Sequence, residues 1–239
     1  MSTLTIDTST VSVIALVGEK TIVRRSPDSR HHAETLAPLV DEIVTEAGET
    51  PDLIVAGTGP AAFTGLRAGL VTARVLARSW NIPIVGIGSL EIIGRAALDH
   101  APGVGRDVHG DADTPQTDNA TDDTDALHDP APVIAVGDAR RKEVYAAEIA
   151  PMGNDDVTVT WGPEVLSPQA LADKYPGARF VGPGAELYSD ILPGGLDQVI
   201  EPVVMERLAK ARLARVDAGE ELDLGTEPKY LRRPDIHGA

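Results

Sequence analysis

No cysteine occurs among the 239 residues, so disulfides, thiolate metal ligands and thiol nucleophiles are excluded from this chain. Aromatic residues make up only 3 % of it, which leaves Val, Ile, Leu and Ala to build the core. Long apolar runs are also missing, and nothing approaches the roughly 20 residues that cross a bilayer. The opening stretch MSTLTIDTSTVSVIALV has neither a basic start nor a cleavage site, and polar residues interrupt its apolar part. It is therefore expected not to be a secretion signal, and the chain to be soluble, cytoplasmic and without a membrane partner. Basic residues are scarce too: 21 Lys and Arg against 37 Asp and Glu give a net charge of −16. Phosphate binding needs clustered Lys and Arg, so the chain is not expected to hold RNA alone. If RNA is involved, another subunit should supply the basic surface.

What is present is ordinary for a globular chain, with 42 % hydrophobic and 24 % charged residues. The acid is unevenly spread. Between Asp99 and Pro130 lie nine Asp and one basic residue, Arg106, so half of the net charge sits in one segment. Apolar residues are sparse there and no period survives. Such a stretch cannot offset its ordering entropy, and 99–131 is expected to be a disordered insertion. Its histidines, His100, His109 and His128, raise metal binding together with the aspartates. No ligand spacing repeats, which favours a solvated acidic loop.

Elsewhere the periodicities are clear. Residues 4–6 and 11–17 read as a hairpin around Asp7-Thr8-Ser9-Thr10, with a third strand at 21–25. Helical spacing covers 33–47, closed by Gly48, and again 63–80. Short strands are expected at 53–56 and 83–87, and Ser89 is a candidate cap for a helix through Ala97. Beyond the insertion come strands at 133–136, 143–149 and 157–161, a helix at 167–174, a strand at 179–181 and helices at 185–192 and 203–218. This order suggests two α/β lobes. The expected divisions are a first lobe at 1–98, completed by the helix 203–218, a smaller second lobe at 132–202, and a C-terminal helix and tail at 203–239.

The strand–turn–strand unit at Asp7-Thr8-Ser9-Thr10 resembles the phosphate loop of the actin, hexokinase and Hsp70 superfamily; a purely structural turn is the alternative. Several further segments follow in order. They are His31-His32-Ala33-Glu34-Thr35-Leu36, the stretch from Gly59-Pro60-Ala61-Ala62-Phe63-Thr64-Gly65 through Gly69, Asp138-Ala139-Arg140-Arg141-Lys142-Glu143-Val144-Tyr145, and Pro228-Lys229-Tyr230-Leu231-Arg232. Together they resemble the TsaB (YeaZ) family, the partner of the threonylcarbamoyl transferase TsaD. The resemblance implies an α/β, actin-like ATPase (ASKHA, ribonuclease H-like) fold with two lobes, the second reduced. It implies a non-catalytic subunit that binds and activates TsaD for N6-threonylcarbamoylation of adenosine 37 in tRNAs reading ANN codons. It also implies a TsaE-like ATPase in the assembly, and a homodimer when the partner is absent. Two departures weigh against nucleotide. The family's Gly-Pro-Gly-Ser-Phe-Thr-Gly is here Gly-Pro-Ala-Ala-Phe-Thr-Gly, and its Gly-Asp-Gly-Ala turn is Gly182-Pro183-Gly184-Ala185. No cofactor is expected, and any nucleotide would sit at Asp7, Thr8, Ser9 and Thr10.

The same resemblance bears on catalysis. TsaD carries a His-x-Glu-Gly-His metal motif, and the corresponding stretch here runs Ser89-Leu90-Glu91-Ile92-Ile93. Hydroxyl and alkyl groups cannot replace two imidazoles as metal ligands. His31 and His32, adjacent on a helix, point about 100° apart and have no third ligand nearby. Neither a catalytic residue nor a metal site is expected.

A pairing surface remains. On 63–80, Arg67, Arg74 and Arg78 form a ridge, Leu66, Leu70, Ala73, Ala77 and Trp80 one apolar stripe, and Ala68, Val71 and Val75 another. The first helix has Leu36, Val40, Ile43 and Ala47 on one stripe and Ala33, Ala37 and Val44 on a second. A helix apolar on two faces is covered on both, by a partner or by deep burial in its own chain. The expected interface is Leu36, Val40, Ile43, Ala47, Leu66, Arg67, Leu70, Arg74 and Ala77. The competing reading is an independent kinase of the superfamily, using Asp7 and Asp138, or a peptidase. Asp138-Ala139-Arg140-Arg141 reads as a structural turn or a contact with the partner.

Overall fold

The computed structural model describes residues 1–26, 32–100, 131–193 and 199–232. Of the stretch 99–131 expected to be an insertion, 101–130, with His109 and His128, lies outside the described residues, while Asp99 ends a helix; His31, the His32 and Ala33 side chains and the end of the tail lie outside as well.

Two mixed sheets organise the chain. In the first, β1 (Thr3–Asp7) pairs antiparallel with β2 (Val13–Val17), which pairs with β3 (Ile22–Arg25). On its other side β1 runs parallel to β4 (Leu53–Gly57), and β4 to β5 (Ile84–Ile87), giving the order β3-β2-β1-β4-β5. Two helices connect these strands, α1 (His32–Ala47) and α2 (Phe63–Trp80). Gly48, at φ 68°, closes α1 through its N–H to the Val44 carbonyl, as the sequence suggested. Asn81, left-handed at φ 55°, closes α2 two residues before Pro83. The helix α3 (Ser89–Asp99) leads towards the insertion.

The second sheet has the order β8-β7-β6-β9, from β6 (Val133–Asp138), β7 (Val144–Met152), β8 (Asp156–Leu166) and β9 (Phe180–Val181). The hairpin partner of β7 is longer than its apolar stretch suggested, because the ladder continues through the exposed Glu164 and the half-buried Val165 and Leu166. Ser167 caps α4 (Pro168–Lys174), its hydroxyl accepting the Ala170 N–H at 3.2 Å. The turn Gly182-Pro183-Gly184 opens α5 (Pro183–Leu187), shorter than expected, and α6 (Pro202–Asp217) ends the regular structure.

Strand alternation sorts the core into three bodies. Leu4, Ile6, Ile14, Leu16, Ile54 and Ala56 face α1 and α2. Val13, Leu53, Val55, Val85 and Ile87, on the opposite face, meet α3, α6 and the inner face of the second sheet through Val133, Ala135, Ala147 and Ile149. Ile134, Val136, Val144 and Ala146 pack on α4 and α5. The layers therefore run α1/α2, first sheet, α3/α6, second sheet, α4/α5. The helix α6 lies on the first sheet although the whole second sheet separates the two in sequence.

This layering overturns part of the expected interface. Leu36, Ile43 and Leu66 are 0 % exposed, Val40 and Leu70 3 % and Ala77 5 %. These side chains are the monomer's own core, because the first sheet needs an apolar cover over Leu4, Ile6 and Ile54. Ala47 is half-buried at the edge of the same cluster. Of the nine residues only Arg67 and Arg74 are exposed.

Candidate functional site

The β1–β2 turn lies at the end of the first sheet, under the start of α3. Asp7, 1 % exposed, ends β1 pointing into the middle layer. One of its oxygens, Oδ1, accepts the Ser9 N–H at 2.7 Å and the Ser9 hydroxyl at 2.6 Å. The other, Oδ2, accepts the Ser89 hydroxyl at 2.6 Å. Ser89 is the first residue inside α3 and not its cap; its Oγ also accepts the Gly59 N–H at 3.2 Å. Asp7 fits only because residue 57 is glycine: a Cβ there would stand 1.8 Å from its Oδ2. Thr8 is likewise turned inward, donating to the Gly65 carbonyl at 2.9 Å, and a Cβ on Gly69 would meet its hydroxyl at 2.4 Å. Of the four turn residues only Ser9 and Thr10 reach the surface, and both are half-buried. A pair of inward side chains locked by the protein's own groups is a structural turn more than a phosphate cradle.

Glu91, in the first turn of α3, is the one carboxylate shared with the TsaD-type motif. Its side chain is 9 % exposed and pairs with Arg212 of α6 and, at 3.0 Å, with Lys229 of the tail. Burial pushes its carboxyl up, but Arg212 and Lys229 outweigh that and hold it below the usual carboxylate range. Burial works against the Arg212 charge as well, and Glu91 and Asp156 reverse it. The pairing continues outward. Asp156, at the start of β8, accepts from Arg212 at 2.9 Å and from Arg215 at 2.6 Å, and Arg215 pairs with Glu220 at 2.7 Å. Beside this chain of ion pairs, Arg95 and Arg207 both hold Asp99. The two histidine positions of the TsaD-type motif are Ser89, bonded to Asp7, and Ile93, in the core.

The tail closes this region. Its Leu224 carbonyl accepts the Gly86 N–H at 2.9 Å, and the Lys229 N–H donates to the Thr58 carbonyl at 2.9 Å. Arg74 holds it from α2, reaching Thr226 Oγ1 at 2.8 Å and Glu227 at 2.8 Å. Further on, Tyr230 stacks against Phe63 with centroids 4.8 Å apart, and Arg232 pairs with Glu143. The space left between Gly59, Gly88, Glu91, Ala147 and Lys229 is about 10 Å³, too little for a bound nucleotide.

The outer face of α2 is open by contrast. Val71 is 53 % and Val75 60 % exposed. They line a groove of about 680 Å³ with Arg74, Arg78, Asn81, Ile82 and Ile84. On α1, Ala37 is exposed and Val44 half-buried. The second stripe named from the sequence, not the first, is therefore the one facing outward.

The β6–β7 turn is conformationally costly. Arg140, Arg141 and Lys142 have φ of 61°, 54° and 61°. Each such L-residue costs roughly 1 kcal/mol relative to the right-handed form. The Ala139 N–H donates to the Glu143 carbonyl and the Arg140 N–H to Asp138 Oδ1, fixing the loop.

Comparison with known proteins joins these features to a family. The family model for TsaD, described as tRNA N6-adenosine threonylcarbamoyltransferase, matches residues 26–106, which include α1, α2 and α3. An uncharacterized protein of Mycobacterium tuberculosis is 31 % identical over 246 residues, covering 97 % of this chain and 92 % of that one. The tRNA threonylcarbamoyladenosine biosynthesis protein TsaB of Haemophilus influenzae is 26 % identical over 252 residues, covering 97 % and 94 %. Among solved structures, YeaZ from Pseudomonas aeruginosa matches with a TM-score of 0.69 at 25 % identity, over 96 % of this chain and 99 % of that one.

The chain belongs to the TsaB (YeaZ) family.

Within a TsaB-family chain the residues that sequence reasoning missed are those of the ion-pair chain that begins at Glu91. Arg212, Arg215 and Asp156 carry no motif, and their pairing depends on α6 returning beside α3. Lys229 lay in a segment quoted for the family resemblance, but nothing local pointed it at a carboxylate 138 residues away.

Proposed function

We propose that this chain is a non-catalytic subunit in threonylcarbamoyladenosine biosynthesis, binding and activating a TsaD-like transferase that modifies adenosine 37 of tRNAs reading ANN codons. The observation that carries the reading is the exposed Val71–Val75 stripe and its groove on α2. Two valines left in water on a helix whose other face is core are best accounted for by a covering partner. The partner face is then Ala68, Val71, Val75 and Arg78 of α2 with Ala37 and Val44 of α1, in place of the buried stripe first assigned. A second copy would use the same face when the transferase is absent, since a two-fold pair needs one self-complementary patch. A TsaE-like ATPase would join the assembly, and tRNA would be held chiefly by the transferase.

The proposed fold is a two-lobed actin-like one with the second lobe reduced. The order β3-β2-β1-β4-β5 and the packing of α6 on the first sheet support counting 1–98 with α6 as one lobe and 132–202 as the other. Cytoplasmic location follows from the role; among the described residues no helix is long and apolar enough to cross a membrane. Against catalysis and nucleotide binding stand the occupied carboxylates: Asp7 is held by Ser9 and Ser89, and Glu91 by Arg212 and Lys229. The subunit would act by favouring the competent conformation of its partner, a difference in affinity between two states.

Light scattering after size-exclusion chromatography, with this chain and the transferase of the same organism, tests the reading. A stable heterodimer abolished by Val71→Asp with Val75→Asp is expected. If no complex forms with ATP and the TsaE-like ATPase also supplied, the role is wrong. Multiple-turnover ATP hydrolysis lost on Asp7→Ala would instead establish an independent enzyme.

A further inference from the structure

In a chain of net charge −16, three consecutive exposed basic residues stand on one turn, and they do so against a conformational cost. Arg140, Arg141 and Lys142 follow one another at positive φ and are all exposed. Arg140 meets Asp138 at 3.3 Å and still leaves 70 % of its side chain in solvent. Glycine or asparagine would form the same turn without strain. The turn therefore keeps side chains that its backbone disfavours, and all three are cationic. Strain retained in this way points to a use for the side chains.

The neighbourhood extends the same chemistry. Glu143, the next residue, pairs with Arg232 of the tail. Two residues before Arg232, Tyr230 is 39 % exposed and stacks on Phe63 at the start of α2. Over the Phe63 ring lies the exposed Arg67 guanidinium, 5.0 Å from its centroid. Tyr145, whose hydroxyl reaches the Ala61 carbonyl at 3.4 Å, brings the start of β7 against the approach to α2. Basic and aromatic groups thus alternate along one rim, from the β6–β7 turn across the tail to α2. Cations with partly exposed rings are what a single-stranded or looped nucleic acid uses, for its phosphates and for its bases.

We infer that this rim contacts the RNA substrate beside the transferase, with residues 140–142 on backbone phosphates. The inference rests on the function proposed above. The free chain is too acidic to attract RNA by itself, so the rim would add to a surface supplied mainly by the partner.

The test is tRNA binding by the purified heterodimer, using a fluorescent, unmodified tRNA transcript at several salt concentrations. Two variants are compared with wild type: Arg140→Gly with Arg141→Gly and Lys142→Gly, and Arg140→Glu with Lys142→Glu. The glycine variant is expected to keep or raise Tm and to form the heterodimer normally. Its tRNA affinity should fall by about tenfold at 0.1 M salt for each phosphate no longer neutralised, and the salt slope by about one for each. The glutamate variant should bind still more weakly. Unchanged affinity and slope in both variants, with the heterodimer intact, would overturn the inference. Failure of the variants to form the heterodimer would also overturn it, making the turn a protein contact. If the wild-type chains form no heterodimer, the proposed function fails first and this inference with it.

Discussion

Between α3 and α6 the carboxylates Glu91, Asp99 and Asp156 are paired with cations, whereas the outer side of α2 leaves Val71 and Val75 to solvent. The middle layer holds polar chemistry that has been closed: Glu91, Asp156 and Asp99 each carry two cationic partners. The outer layer holds apolar surface that has been left open. In a catalyst of this architecture the reverse is expected, since carboxylates in a cleft must be available to metal or substrate. Satisfied charge inside and unsatisfied apolar surface outside are what the proposed role, a subunit acting through its partner, would require.

The sharpest way to break this contrast uses two adjacent residues of α2. Leu70→Asp puts an unpaired charge beneath the first sheet and should cost about 4 kcal/mol or more, unfolding much of the chain by circular dichroism. Val71→Asp should change stability by no more than about 0.5 kcal/mol but weaken the heterodimer by roughly 30-fold. Equal effects on stability would erase the distinction between the two stripes.

Next in size is the inner network. Glu91→Gln removes the carboxylate that Lys229 and Arg212 share, leaving Arg212 only Asp156, and should cost about 3 kcal/mol in urea denaturation. A decrease under about 1 kcal/mol would mean that apolar packing, not the ion pairs, joins α3 to α6.

The pH dependence sharpens the same point. The Glu91 carboxyl is held below its usual range in the folded chain, so folding is favoured where the unfolded chain's carboxyl is already ionised. That contribution is complete above the ordinary value near about 4.3 and is lost as pH falls through the folded one. The stability difference between wild type and Glu91→Gln should accordingly shrink on acidification below about pH 4. A constant difference would assign the effect of the mutation to packing.

The smallest effect is expected at the tail. Lys229 is 43 % exposed, so Lys229→Met should cost less than about 1 kcal/mol. Its mark should be faster amide exchange at Gly86 and in the tail, read by mass spectrometry, if the ion pair helps to seat the strap. Unaltered exchange would leave the seating to Arg74 and the backbone bonds.

Much of the framework was legible because local signals agreed with the final elements. The bounds of α2 follow from its period and the Asn81-Ile82-Pro83 stop, and Gly48 marks the end of α1. Ser89 misled: placed before an apolar run it reads as a cap, yet its hydroxyl is drawn to Asp7, 82 residues away. The strained turn was visible as residues and invisible as strain, since Arg and Lys give no sign of positive φ. The apolar part of the expected interface, Leu36, Val40, Ile43, Leu66, Leu70 and Ala77, is buried in the chain's own core for a related reason. Both stripes of α2 are apolar, and a helical period fixes the angle between them without saying which one meets the sheet.

By itself, then, the sequence determined the order of the elements and the chemistry that is missing: no thiol, and Ser89 and Ile93 where the transferase motif has histidines. Residue identity settles these matters, because no packing can turn a hydroxyl or an alkyl group into an imidazole. The tertiary structure alone decided which way each face points and which charges meet. Burying Leu66 and Leu70 against the first sheet leaves Val71 and Val75 outside, and bringing α6 back beside α3 gives Glu91 its cations. Those outcomes depend on contacts between segments far apart in the chain, which no local pattern encodes.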